Sequence, residues 1–253
     1  IDRFRLGEDS SPDILFLGLS ATDGVGHHFG PNSVEQLDNY LRSDKNLIRL
    51  INYIERKVGA GNTFYILTGD HGAMDLPEYL LSKNISSGRI SGEQRKKIYA
   101  KIISQIDSKI GSRKVKQYGD AFYFDKDLTE DENNIAVSII KDLVMQIDGV
   151  ERALTSKEII ELPKSKINIR LKNMIHPTKS PNVFVLIKEN WLWKNDYGSS
   201  HGTHYDYDSH VPFIVSRFNN IPQVENKNLF TVDIPVTIAK YLKLDYPNEL
   251  DGN

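Results

Sequence analysis

Between Pro12 and Ser20 the chain reads Asp-Ile-Leu-Phe-Leu-Gly-Leu, with a nearly continuous apolar run from Ile14 to Leu19. A run of this length without polar alternation predicts a central strand buried on both faces of a parallel sheet. A polar turn follows from Asp23 to Pro31. Val34, Leu37, Leu41, Ile48, Ile51, Ile54 and Val58 then recur at helical spacing until Gly59 and Gly61 stop them. Ser33 with Gln36 gives the capping-box pattern at the start of this long amphipathic helix. Thr63 to Thr68 predicts a second buried strand, completing a right-handed strand-helix-strand crossover. The fold class is therefore α/β, with a mostly parallel central sheet flanked by helices.

Beyond Pro77 the pattern changes. It predicts a basic helix near Glu93 to Ile110, an aromatic strand from Ala121 to Phe124, a helix near Asn134 to Ile147 and a short extended stretch from Gly149 to Ala153. Residues 78–180 are read as an inserted α+β cap subdomain, and residues 1–77 and 181–253 as the core. Asn182 to Ile187 and Val211 to Val215 predict further strands, and Thr231 is placed to cap a helix running to about Leu242.

Composition narrows the choice of partner. The 34 acidic and 32 basic residues leave a formal net charge of -2 without a long single-sign block, so nucleic-acid wrapping is not expected and small ligands are. No apolar run reaches the eighteen or so residues that span a bilayer, so no membrane span is expected. The absence of cysteine removes thiolate ligands and nucleophiles. Any metal must be held by His, Asp or Glu.

Three places carry such residues just after predicted strands, where open α/β sheets present their ligand sites. Asp23 and His27 are four residues apart, so one turn brings both to one face, with Gly24 and Gly26 allowing a tight backbone. Asp70 and His71 are adjacent and converge if Gly69 and Gly72 bend the chain. His201 sits in the flexible Gly198-Ser199-Ser200-His201-Gly202 loop. Asp23, His27 and His201 make a three-ligand zinc site with an open position, the composition of a catalytic zinc. Asp70 and His71 give a second ion two ligands, and two ions about 3.5–4 Å apart clamp a phosphoryl group.

At these residues the chain resembles a known family. Ser20 through His27, with Phe29-Gly30-Pro31 and Ser33, is similar to the S-x-x-D-x-x-x-H-x-x-G-P-x-S stretch of the alkaline phosphatase superfamily. Thr68-Gly69-Asp70-His71-Gly72-Ala73 resembles its T-A-D-H-G-A stretch. His201 to Asp208, followed by Val211-Pro212, resembles a segment of the monomeric bacterial phosphatases that use a threonine nucleophile. The similarity runs from about Ile14 to Asp251-Gly252. It implies two zinc ions, or other divalent metals, with Asp23, His27 and His201 on one and Asp70 and His71 on the other. It further implies a small phosphate monoester as substrate, a monomer, and a periplasmic or secreted location. No catalytic side chain is assigned, because the Thr or Ser nucleophile of the family is expected upstream of Ile1, along with its phosphate clamp. A phosphodiesterase or nucleotide pyrophosphatase of the same superfamily is the nearest alternative, and a non-catalytic zinc-binding fragment another.

Other candidates receive plainer readings. His28, His176, His204 and His210 are read as structural or exposed, His204 at most lining a pocket. Asp206 and Asp208 fix the loop before a strand, Trp191 and Trp193 cover a sheet edge, and Arg95-Lys96-Lys97 form a solvated helix face.

Overall fold

The computed structural model describes residues 1–193, 196–217, 221, 223–225, 227–247 and 251; Gly252, where the family resemblance ends, lies outside them. In chain order the helices and strands are α1 (Ala21–Phe29), α2 (Val34–Val58), β1 (Phe64–Thr68), α3 (Pro77–Ser82), β2 (Gly88–Arg89), α4 (Gly92–Ile110), β3 (Val115–Tyr118), β4 (Ala121–Phe124), α5 (Glu130–Val144), β5 (Val150–Thr155), α6 (Ser156–Glu161), α7 (Lys166–Asn173), β6 (Val183–Ile187), β7 (Trp191–Leu192), α8 (Asp206–Ser209), β8 (Phe213–Arg217) and α9 (Asp233–Leu242). They fall into two compact units, Ile1–Val25, Val34–Gly72 and His210–Asn253 in the first, Gly26–Ser33 and Ala73–Ser209 in the second.

The second unit is built on a four-stranded antiparallel sheet in the order β3-β4-β6-β5. Helices α4 and α5 bury their apolar stripes with it: Ile102, Ile106, Ala136, Ile140 and Val144 join Phe122 and Val183 in one cluster, all fully buried. Tyr99 meets Phe122 edge-on, with ring centroids 5.3 Å apart. Each long helix is started by its own sequence, Ser91 accepting from the Gln94 amide in α4 and Thr129 with Glu132 forming a capping box in α5. Residues 181–209, placed with the core on sequence, cluster here because β6 pairs with β4 and β5 and β7 pairs with β2.

In the first unit α2 forms over the expected residues, and β1 pairs antiparallel with β8. The strand expected from Ile14 to Leu19 is not formed. Those residues are without regular structure, and Phe16 is 83% exposed. A strand exists only through a hydrogen-bonded neighbour, and none of the described sheets includes this segment, so the crossover into β1 is not seen among the described residues. The α/β class holds, while the described pairing is antiparallel except between β2 and β7. Among the described residues Val236, on α9, is the fully buried apolar side chain of this unit. Helix α9 begins after Val232 without a side-chain cap, so Thr231 does not take the capping role expected of it.

Candidate metal centre

The stretch read as a polar turn is helix α1. Its first turn is steadied by α2, where the Gln36 side-chain amide donates to the Thr22 carbonyl at 3.1 Å and Asn39 donates to the Thr22 hydroxyl at 3.2 Å. Gly24 and Gly26 serve as helix residues rather than hinges. Asp23 and His27 therefore stand one turn apart on the same helical face.

His201 reaches this helix through its loop. The Ser199 amide donates to the His27 carbonyl at 3.2 Å, and the Ser199 carbonyl lies 3.0 Å from His27 Nδ1. A carbonyl can only accept, so Nδ1 donates this bond and Nε2 is the candidate ligand nitrogen of His27. That Nε2 is 3.2 Å from Nε2 of His201. Such proximity leaves Gly198 no room for a side chain: at φ +72, an added Cβ would sit 1.9 Å from the His27 carbonyl oxygen. The Met74 amide donates to the Ser200 carbonyl at 3.3 Å, and the Ser199 hydroxyl donates to the Met74 carbonyl. Downstream of His201, Asp208 is buried and accepts from both the amide and the hydroxyl of Thr203 at 2.7 Å.

One ligand atom from each of Asp23, His27 and His201 lies within 4.8 Å of the others. Two imidazole nitrogens opposed at 3.2 Å demand a proton or a cation between them. Tetrahedral zinc, with bonds of about 2.0–2.1 Å, sets two ligand nitrogens roughly 3.3 Å apart. The donor set fits a divalent cation.

Asp70 and His71 follow β1. Nδ1 of His71 donates to the Gly72 carbonyl at 2.8 Å, again leaving Nε2 as the candidate ligand nitrogen. That atom is 3.8 Å from an oxygen of Asp23 and 3.8 Å from an oxygen of Asp70. Within the first unit Asp23, Asp70 and His71 thus neighbour one another.

The remaining histidines take other positions. His28 lies near the Tyr197 ring, His176 accepts from the Thr178 amide, and His210 is exposed. His204 is buried against Tyr205, and burial holds its pKa below the usual histidine value. Asp206 pairs with Arg170 at 2.6 Å and Lys166 at 3.0 Å. Trp191 packs against Gly88 and Gly149, where no Cβ would fit, and Arg95 is not simply solvated, since it pairs with Asp120 and lies over Trp193. Ser199, Met74 and Arg89 around the His201 loop went unnoticed on sequence. Only Gly198 signalled a close approach there.

Residues 2–210 match the type I phosphodiesterase / nucleotide pyrophosphatase family. The chain belongs to that family. Similar proteins include alkaline phosphatase PhoV of Synechococcus elongatus, 31% identical across 96% of this chain and 44% of its own length. Alkaline phosphatase PafA of Elizabethkingia meningoseptica is 29% identical across 100% of this chain and 47% of its own. The crystal structure of wild-type PafA superposes with a TM-score of 0.82 at 26% identity, covering 100% of this chain and 49% of that one. The chain thus shares the fold of PafA and spans about half the length of these relatives.

Proposed function

We propose that this chain carries the metal-binding half of a phosphate-ester hydrolase of the alkaline phosphatase type. Asp23, His27 and His201 would hold one divalent cation, and Asp70 and His71 would contribute to a second, with zinc the best match to the donor set. The observation that carries this reading is the 3.2 Å approach of the two Nε2 atoms of His27 and His201. Bound there, such cations supply Lewis-acid polarisation of phosphoryl oxygens and acidify water. The chain's own residues orient: carbonyls of Ser199 and Gly72 fix the tautomers of His27 and His71. The reading gains support from relatives that are named alkaline phosphatases. A phosphate monoester as substrate, a nucleophile ahead of Ile1, a monomeric state and export from the cytoplasm belong to the same proposal. No helix among the described residues is long and apolar enough to cross a membrane.

Zinc titration calorimetry on this chain tests the metal reading, with saturable uptake expected and absence of uptake rejecting it. Hydrolysis of nitrophenyl phosphate and of bis-nitrophenyl phosphate is then compared between this chain and a longer polypeptide that continues ahead of Ile1. Faster monoester turnover in the longer protein is expected. Equal rates in both would place the nucleophile within residues 1–253, and preference for the diester would favour the phosphodiesterase alternative.

A further inference from the structure

We infer that Arg89 is a positioning residue for the metal loop, aimed by Glu78 and acting on His201 and His27 through the backbone of Gly198 and Ser199. The inference rests on the metal reading above. Arg89 ends β2, whose place is set by packing: a Cβ on Gly88 would lie 2.7 Å from the Trp191 ring, and the Ile90 amide donates to the Leu192 carbonyl at 2.7 Å. From there the guanidinium makes a two-pronged contact with Glu78, Nε to Oε1 at 2.7 Å and Nη2 to Oε2 at 2.8 Å. Its remaining arm, Nη1, donates to the Gly198 carbonyl at 3.0 Å.

The planar fork makes this more than an ion pair. With Nε and Nη2 both committed to one carboxylate, the direction of Nη1 is determined, and it meets a backbone carbonyl one residue before Ser199. Ser199 in turn holds His27 by two bonds, its amide to the His27 carbonyl and its carbonyl to Nδ1. Two residues further on is His201. A displaced Gly198 carbonyl therefore moves both the tautomer-setting acceptor of one ligand and the main chain of another. The Arg89 side chain is only 12% exposed although its partner Glu78 is 63% exposed, so the guanidinium is lodged against the loop rather than extended into water. Lysine, a single point donor, cannot bond the carboxylate twice and the carbonyl at once.

The test uses cobalt(II) as the probe on the full chain, because its visible bands report ligand geometry independently of turnover. In Arg89→Met the cobalt affinity is expected to fall about 10–100-fold, the range for groups that orient metal ligands, and the bands to weaken or shift. Arg89→Lys should recover only part of the loss. An affinity within about twofold of the unchanged chain, with superimposable bands, overturns the inference even if the thermal midpoint drops, since a purely structural ion pair would do that alone. His201→Ala separates the two levels. If it binds cobalt as the unchanged chain does, the metal reading fails; if it loses cobalt while Arg89→Met keeps it, only the role of Arg89 fails. Should Arg89→Met not fold, Glu78→Gln is judged by the same criteria, a loss of several-fold being expected and unchanged binding overturning the claim.

Discussion

His27 and His201, 174 residues apart in sequence, face each other through their ε nitrogens at 3.2 Å. A third group, Ser199, accepts from the opposite nitrogen of His27, so the ε nitrogen that His27 turns to His201 carries a lone pair. Several expectations about this chain derive from that contact and its supports.

Replacing His201 by Ala should lower zinc affinity by more than the ~10–100-fold seen when an orienting group is lost, because on the proposed reading it removes a ligand itself. Asp23→Asn should weaken binding in the same direction. Competition against a chromophoric chelator measures both. A loss below about threefold for His201→Ala would remove it from the site.

Gly198→Ala tests the close approach directly. The left-handed conformation alone costs a non-glycine residue about 1–2 kcal/mol, and the His27 carbonyl must also retreat from a Cβ that would lie 1.9 Å away. Thermal melts of the metal-free chain should show that loss, and zinc affinity should fall with it. Unchanged values in both measurements would mean that the loop does not approach helix α1 as described.

Buried His204 sets a pH dependence. Its pKa is lowered chiefly by burial, so below 6.5 the unfolded chain takes up a proton that the folded ring resists. Stability is therefore complete above 6.5 and declines as pH falls toward the lowered folded value, by up to about 1.4 kcal/mol per pH unit. His204→Gln should flatten that part of a plot of melting midpoint against pH from 5 to 7. A slope equal to that of the unchanged chain would show that His204 titrates normally.

The segment from Ile14 to Leu19 presents apolar side chains to solvent, with Leu17 56% and Phe16 83% exposed. A contiguous patch of this kind should bind a hydrophobic fluorescent dye, and Phe16→Ser with Leu17→Ser should lower the signal at least about twofold. Equal fluorescence would place the dye elsewhere and show this segment covered in solution.

Local pattern was enough to read α2, α4, β4 and β6 from sequence, because helical and strand periodicities are written within a dozen residues. The same reading failed at Ile14 to Leu19, since a strand depends on a partner that periodicity cannot supply, and at Asp23 to Phe29, where glycines that suggest a turn are carried inside a helix.

The five candidate ligands were legible in the chain alone: carboxylate and imidazole chemistry and the short-range spacing of Asp23 to His27 and Asp70 to His71 are local properties, and the motif resemblance added His201. The folded chain adds what no short window shows: the 3.2 Å distance between the ε nitrogens of His27 and His201, the Ser199 and Gly72 carbonyls at the opposite nitrogens of His27 and His71, and the contact of Arg89, held by Glu78, with the Gly198 carbonyl. Those relationships join residues as far apart as 174 positions. They arise from how separate elements pack, which is a property of the folded chain and not of any window along it.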